Sequence, residues 1–251
     1  MVQIQSREQE DLYCSYLVVV FGVVVENSRT EMLQEGTGRV KVYARIRPTA
    51  RFAQEMIELL PDGKSINIHC KKDLRRGYIN NQVLDWSFNL DRVLHNASQS
   101  DVYEECAKRI VTEGLDGYNG TILAYGQTGA GKTFTMTGST EKFQHRGVIP
   151  RAIQQVYREI RERSEHAVTV RISYLEIYNE HMFDLLSTLT GAPLLDPSQM
   201  TVTEDDDGYT RVKGLSIHQA NSEEEALNLL FEVRCNRMFA DLERKNNECK
   251  L

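Results

Sequence analysis

Positive charge is in deficit here: 30 Lys and Arg stand against 36 Asp and Glu, a formal net charge of −6 over 251 residues. General nucleic-acid binders usually carry a basic domain, so the balance argues against that class and leaves only local basic patches open to it. Cysteine is scarce and poorly spaced for covalent or metal chemistry. Cys14, Cys70, Cys106, Cys235 and Cys249 are odd in number and form no C-x-x-C pair, which points away from a disulfide framework and from zinc, and toward a reducing, intracellular compartment. The six histidines include no H-E-x-x-H and no His/Cys cluster, which leaves little room for a transition-metal enzyme. A bilayer-spanning run is also lacking. Residues 17–25 read LVVVFGVVV and, with residues 13–16, make about 13 apolar or weakly polar positions, short of the roughly 20 a span needs. Glu8, Glu10 and Asp11 precede them and no small-residue cleavage site follows, unlike a secretory signal. The segment reads as a β-rich strand or a loosely packed extension, and residues 1–37 as an appendage. High β propensity without charge or proline also makes it prone to aggregate.

Enough apolar sequence is present, 41%, to build a core in one or two globular domains. After Gly36 and Gly38 the pattern becomes alternating α/β. Val40, Val42, Ala44 and Ile46 predict a strand that Pro48 closes. Residues 65–70 and 83–88 predict two more, the first set off by a turn at Pro61, Asp62 and Gly63. Ser98, with Asp101 three residues on, predicts a capped helix whose apolar face runs through Val102, Tyr103, Cys106, Ile110 and Val111 to a stop at Gly114. Residues 121–125 are a short apolar run ending abruptly at Gly126, as a buried strand entering a glycine turn would. Pro150 opens a helix with a stripe at Ile153, Val156, Tyr157 and Ile160. Residues 168–174 alternate as a strand, and Ser222 with Glu225 predicts a second capping box. The polar end, residues 241–251, has weak periodicity and reads as a divergent tail.

Residues 126–133 read GQTGAGKT, fitting G-x-x-x-x-G-K-[ST] between a predicted strand and a predicted helix. Such a loop turns backbone N–H groups toward phosphate oxygens, and Gly126, Gly129 and Gly131 keep side chains out of the way while Gln127, Thr128 and Ala130 complete the turn. Lys132 is expected to reach the β- and γ-phosphates, Thr133 to offer a hydroxyl to Mg²⁺, and the helix start to add its positive end. The loop alone names no reaction, because metabolic kinases, motors and switches share it.

Five blocks in order narrow the choice: RIRP at residues 45–48, DWSFNLDRVL at 85–94, GYNGTILAYGQTGAGKTFTMTG at 117–138, GVIPRAI at 147–153 and SYLEIYNEHMFDLL at 173–186. Together they resemble the first half of a kinesin motor domain over about residues 39–240. Arg75-Arg76-Gly77, Asn80-Asn81-Gln82 and the STL after FDLL are similar to the kinesin-9 subfamily. The resemblance implies an α/β P-loop NTPase of kinesin type, with a central mixed sheet, helices on both faces, and ATP and Mg²⁺ as ligands. It implies that Arg45 and Pro48 lie against the adenine with Arg47 nearby, and Phe134 on the other side of the base. By alternation alone, Arg45 and Arg47 read instead as outward residues of a strand. Residues 174–180 would be the family's central strand running into a loop. Glu176 and Glu180 could be read as a catalytic carboxylate pair, against which stands the ordinary reading of a solvated charged face.

After Asn236 and Arg237 a kinesin continues into a serine-rich N-x-x-S-S-R-S-H switch and later D-L-A-G-S-E, whereas this chain reads Asp241-Leu242-Glu243-Arg244. The expectation is therefore a chain truncated before the switch regions, with no catalytic residues of its own. The family implies an ATP-dependent microtubule motor of the cytoplasm and cytoskeleton, with cilium or flagellum suggested by the subfamily. Tubulin binding by this chain is expected to be weak or absent, with no nucleic-acid or membrane partner. Competing readings are a motor-inactive nucleotide-binding fragment and a P-loop small-molecule kinase. The resemblance also implies that residues 121–125 lie mid-sheet beside strands from the missing half, leaving bare strand edges in this chain and poor folding.

Overall fold

The computed structural model describes residues 16–19, 22–23, 40–48, 54–69, 85–139, 142–163, 167–187, 200–204 and 210–248. Contacts divide the chain into two units, Met1–Ala152 and Ile153–Leu251. The stretch 38–240, expected as one half-motor unit, falls on both sides of that division.

The first unit is built on a mixed four-stranded sheet. Its strands are β1 (Tyr16–Val19), β3 (Tyr43–Ile46), β7 (Arg92–Leu94) and β9 (Ala124–Tyr125), in the order β7-β3-β1-β9. β3 and β7 are parallel, while β1 is antiparallel to both β3 and β9. Two further strands, β2 (Gly22–Val23) and β8 (Gly120–Thr121), pair antiparallel with each other. All four residues of β3 are buried, as in a strand covered on both faces. β4 (Ile57–Leu59), β5 (Ser65–His69) and β6 (Asp85–Asn89) form a separate antiparallel meander. Asp62 sets its first turn by accepting from the N–H of Lys64 and of Ser65, with Gly63 at φ 65°.

Two expectations change here. Tyr16–Val19 and Gly22–Val23 do not stand apart as an appendage: they pair with β3, β9 and β8. For the same reason the strand entering the glycine loop is not bare on the side that faces β1. A run of β-branched residues without charge satisfies an open strand edge well, and backbone N–H and C=O groups left unpaired in the interior are costly. The rest of residues 1–37 lies outside the described residues.

The helix expected from Ser98 is two. α1 (Gln99–Cys106) starts at a capping box in which Ser98 Oγ accepts from the Asp101 N–H and Asp101 accepts from the Ser98 N–H. The chain bends at Ala107, φ −117°, before α2 (Lys108–Leu115), so Gly114 lies inside a helix rather than ending one. Val102, Tyr103 and Cys106 on α1 and Ala107 at the break share one core with Tyr43, Leu94 and Val148. α3 (Lys132–Met136) follows the glycine loop, and α4 (Val148–Glu162) begins two residues ahead of Pro150, where a proline is tolerated because a first-turn N–H has no helical partner.

In the second unit, β10 (Val170–Ile172) pairs with β15 (His218–Ala220), and Tyr157 donates its hydroxyl to the Ala220 carbonyl at 2.9 Å. β13 (Thr201–Glu204) and β14 (Thr210–Lys213) form a hairpin. The stretch expected as a central strand is instead a two-stranded hairpin of β11 (Leu175–Tyr178) and β12 (His181–Asp184). Asn179 and Glu180 adopt φ 47° and 62° at its tip, the left-handed pair that a two-residue turn requires. α5 (Glu223–Glu248) is the last element, and at its start the Glu225 N–H donates to Ser222 Oγ while Glu225 accepts from the Asn221 N–H.

Candidate nucleotide site

The loop at residues 126–133 leaves β9 and enters α3, as its sequence predicts. Gly126, Gly129 and Gly131 have φ of 151°, 83° and 102°, a backbone L-residues rarely adopt. Above Gly129 and Gly131 a Cβ would meet nothing within 4 Å. The loop therefore surrounds open space, and glycine is required there by the backbone while the space is kept for something else. Gln127, Thr128 and Gly129 are exposed, Ala130 is buried, and its N–H closes a turn on the Gln127 carbonyl at 3.1 Å. The Lys132 ammonium donates to the carbonyls of Gly126 and Gln127 at 2.7 and 2.8 Å, so its charge is held at the loop. Thr133 is exposed at the second position of α3.

The wall beside the loop comes from β3 and the residues after it. Arg47 and Pro48 are exposed, and Arg47 donates through Nη1 to the Gly129 carbonyl. Arg45 differs from the expectation that it lies against a base or points outward. Its side chain is buried, 7% exposed, and Nη1 donates to Gln99 Oε1 at 2.8 Å and to Thr135 Oγ1 at 2.7 Å. Burial pulls its pKa below the usual arginine value, with the neighbouring Cys106 a smaller opposing influence. The Cys106 thiol is itself pushed up to about 12, chiefly by burial and then by Glu105, so it is a protonated core residue rather than a nucleophile. The Arg45 guanidinium carbon lies 5.7 Å from the centre of the Phe134 ring, a cation–π distance. Phe134 is 45% exposed and so still offers apolar surface to a ligand.

Gln99 and Thr135 were not singled out in the sequence, yet both are buried polar groups that complete this wall. Gln99 Nε2 donates to the carbonyls of Phe134 at 2.7 Å and His145 at 3.2 Å. One amide thus ties α1 to α3 and to the polar insertion at 138–147. A glutamine on the buried stripe of a predicted helix, one residue after its cap, is the signal that could have found it. Replacing Arg45 by alanine is expected to destabilise the first unit by about 2–4 kcal/mol, since Gln99 Oε1 and Thr135 Oγ1 lose a shared charged donor in a dry site. Urea unfolding monitored by circular dichroism checks this, and Arg45→Lys should recover only part of the loss because one ammonium does not reproduce the planar fork.

Glu176 and Glu180 belong to the second unit. Glu176 stands opposite Phe183 across the hairpin, while Glu180 is exposed at its turn. Among the described residues no group of His, Cys, Asp and Glu could hold a metal ion, and no helix is long and apolar enough to cross a membrane.

The Kinesin motor domain family model matches residues 45–249. Kinesin-like protein KIF9 of Mus musculus is 58% identical over 84% of this chain, and that of Homo sapiens 56% over the same share; each alignment covers 27% of the relative. Kinesin-like protein KLP1 of Chlamydomonas reinhardtii is 46% identical over 76% of the chain and 24% of the relative. The chain thus spans about a quarter of the length of these relatives. A solved structure described as that of a fast kinesin matches with a TM-score of 0.62 at 31% identity, covering 80% of this chain and 53% of that one. Matches of this extent in sequence and fold bear out the α/β kinesin-type P-loop architecture and the likeness to the kinesin-9 subfamily, and the chain belongs to the kinesin motor-domain family.

Proposed function

We propose that this chain binds ATP with Mg²⁺ at residues 126–133, as the nucleotide-holding part of a microtubule motor. The observation that carries the reading is the open cradle over Gly129 and Gly131, with Lys132 anchored on its rim and Thr133 exposed at its mouth. The donor set fits the group. An ammonium and turned glycine backbone suit a triphosphate, and a threonine hydroxyl is a hard oxygen ligand suited to Mg²⁺. Bound Mg²⁺ would neutralise charge on the β- and γ-phosphates. Lys132 supplies a point charge to those phosphates, and the exposed faces of Pro48 and Phe134 suit an adenine. Arg47 helps fix the loop through Gly129, and Arg45 supports the base wall from beneath, through Phe134.

Microtubules are the proposed partner, and the cytoskeleton, with a cilium or flagellum as the finer reading, the proposed location. Both rest on the family and on the kinesin-like relatives. A finer reading concerns this polypeptide by itself. Residues 236–244 read NRMFADLER and α5 continues helical through Glu248, so among the described residues a helix, with no serine-rich loop that could orient an attacking water, stands between Asn236 and Glu248. Phosphoryl transfer depends on such positioning. Steady-state ATP turnover by this chain is therefore expected near background and unchanged by added microtubules, in a phosphate-release assay. Strong microtubule stimulation would overturn this finer reading and favour a working motor head. Co-sedimentation with microtubules, with and without a non-hydrolysable ATP analogue, tests the partner.

A further inference from the structure

Phe134 directly follows Thr133 in the first turn of α3, so the ring that offers apolar surface to a base stands next to the phosphate loop. Arg45 lies over that ring. A second ring reaches it from a different part of the chain. The His145 imidazole is 6.4 Å from the Phe134 ring, centre to centre, with the two planes tilted by 45°, within the range of an aromatic pair. His145 is exposed, and among the described residues no hydrogen bond engages its ring nitrogens.

The backbone that carries the imidazole is held from several sides. Phe143–His145 is one turn of 3-10 helix, in which the His145 N–H donates to the Lys142 carbonyl at 2.9 Å. The His145 carbonyl accepts from the Ser139 N–H at 3.0 Å and from Gln99 Nε2 at 3.2 Å. The same Gln99 nitrogen donates to the Phe134 carbonyl at 2.7 Å. Gln99 is 4% exposed, so one interior amide ties together the backbones of both ring-bearing residues. A histidine that served only the core would be buried with its nitrogens paired. A free ring on a fixed backbone instead suits a binding wall, because little freedom remains to be lost when a ligand settles on it.

We propose that His145 is a further side chain of the base-binding wall, beside Phe134 and Pro48, and that its imidazole contacts the adenine of bound ATP by ring packing rather than by hydrogen bonding. The inference deepens the ATP-site reading and rests on it. Two rings tilted by 45° make a shallow corner, and a purine, being two fused rings, is wide enough to touch both. Such a contact reads the flat ring of the base and asks nothing of the phosphates.

The test titrates the full chain, with Mg²⁺, by calorimetry against ATP and against inorganic tripolyphosphate, which offers phosphates without a base. His145→Ala should bind ATP about three- to tenfold more weakly and tripolyphosphate as the parent does, with an unchanged melting temperature because the side chain is exposed. His145→Phe should recover the parental affinity for ATP. Unchanged ATP affinity in His145→Ala would overturn the contact. An equal loss for both probes would do the same, since it would mark a residue that only supports the loop, and a loss that His145→Phe fails to recover would overturn ring packing. In the parent, the His145 Hε1 resonance, identified by its absence from the His145→Phe spectrum, should shift with ATP and stay in place with tripolyphosphate; no shift with either would overturn the contact. If the parent bound tripolyphosphate as tightly as ATP, the wall would fall while the phosphate loop stood. If it bound neither, the nucleotide reading itself would fail and the wall with it.

Discussion

Lys132→Ala is expected to weaken ATP binding by roughly ten- to a hundredfold while leaving the melting temperature close to that of the parent. A charge-assisted hydrogen bond to a phosphate contributes about 1.5–3 kcal/mol, and each 1.4 kcal/mol is about a factor of ten in affinity. The two carbonyls that Lys132 holds, on Gly126 and Gln127, belong to half-buried and exposed residues. Water can replace the lost donor there, so the fold should lose less than about 1 kcal/mol. Titration of a fluorescent ATP analogue by anisotropy, paired with a thermal melt, reads both quantities. Parental affinity in the alanine variant would remove the P-loop assignment. A large fall in melting temperature would instead give Lys132 a structural part that its exposed partners do not suggest.

Gly138→Ala and Gly131→Ala should fail in opposite ways, although both residues have positive φ, 75° and 102°. At Gly138 a Cβ would fall well inside contact with the His145 carbonyl and the Gly147 backbone nitrogen. Gly138 also bridges to Arg146, and the Gly147 N–H donates to the Thr137 carbonyl at 3.0 Å. The ring of backbone that closes the polar insertion has no room to give. Left-handed strain of about 1–2 kcal/mol joins overpacking of about 1–3 kcal/mol, so the loss of stability is expected at about 2–5 kcal/mol. Native stability is only about 5–15 kcal/mol. At Gly131 the added methyl meets open space, and the stability cost should stay near the left-handed strain alone. There the methyl occupies the cradle, and ATP binding should fall at least tenfold. Chemical denaturation and nucleotide titration of the two variants side by side check this. If both variants lost stability and neither lost binding beyond its folded fraction, the open space over the loop would not be a ligand site.

What could be read along the chain was local. GQTGAGKT specifies its turn because positive φ at residues 126, 129 and 131 is a property of glycine itself, and the cradle appears where expected. Ser98 with Asp101 specifies a helix start because both partners of the capping box lie within one turn. The family was legible for a related reason, since its five blocks are contiguous strings. The break at Ala107 escaped because the apolar spacing on either side runs on without interruption.

Long-range partnership could not be read in this way. Whether Arg45 stacks on a ligand or enters the interior depends on Gln99 and Thr135, 54 and 90 residues away in the chain, and an alternating strand pattern is the same in either case. Tyr16–Val19 and Gly22–Val23 show the same division of labour most plainly. Their composition favoured a β-rich strand but left a loosely packed extension equally open. Which edge they take was decided by the tertiary structure, in which Tyr16–Val19 pairs with β3 and β9 and Gly22–Val23 with β8. Backbone hydrogen bonding carries almost no sequence information, so an apolar strand is placed by the edges left open to it.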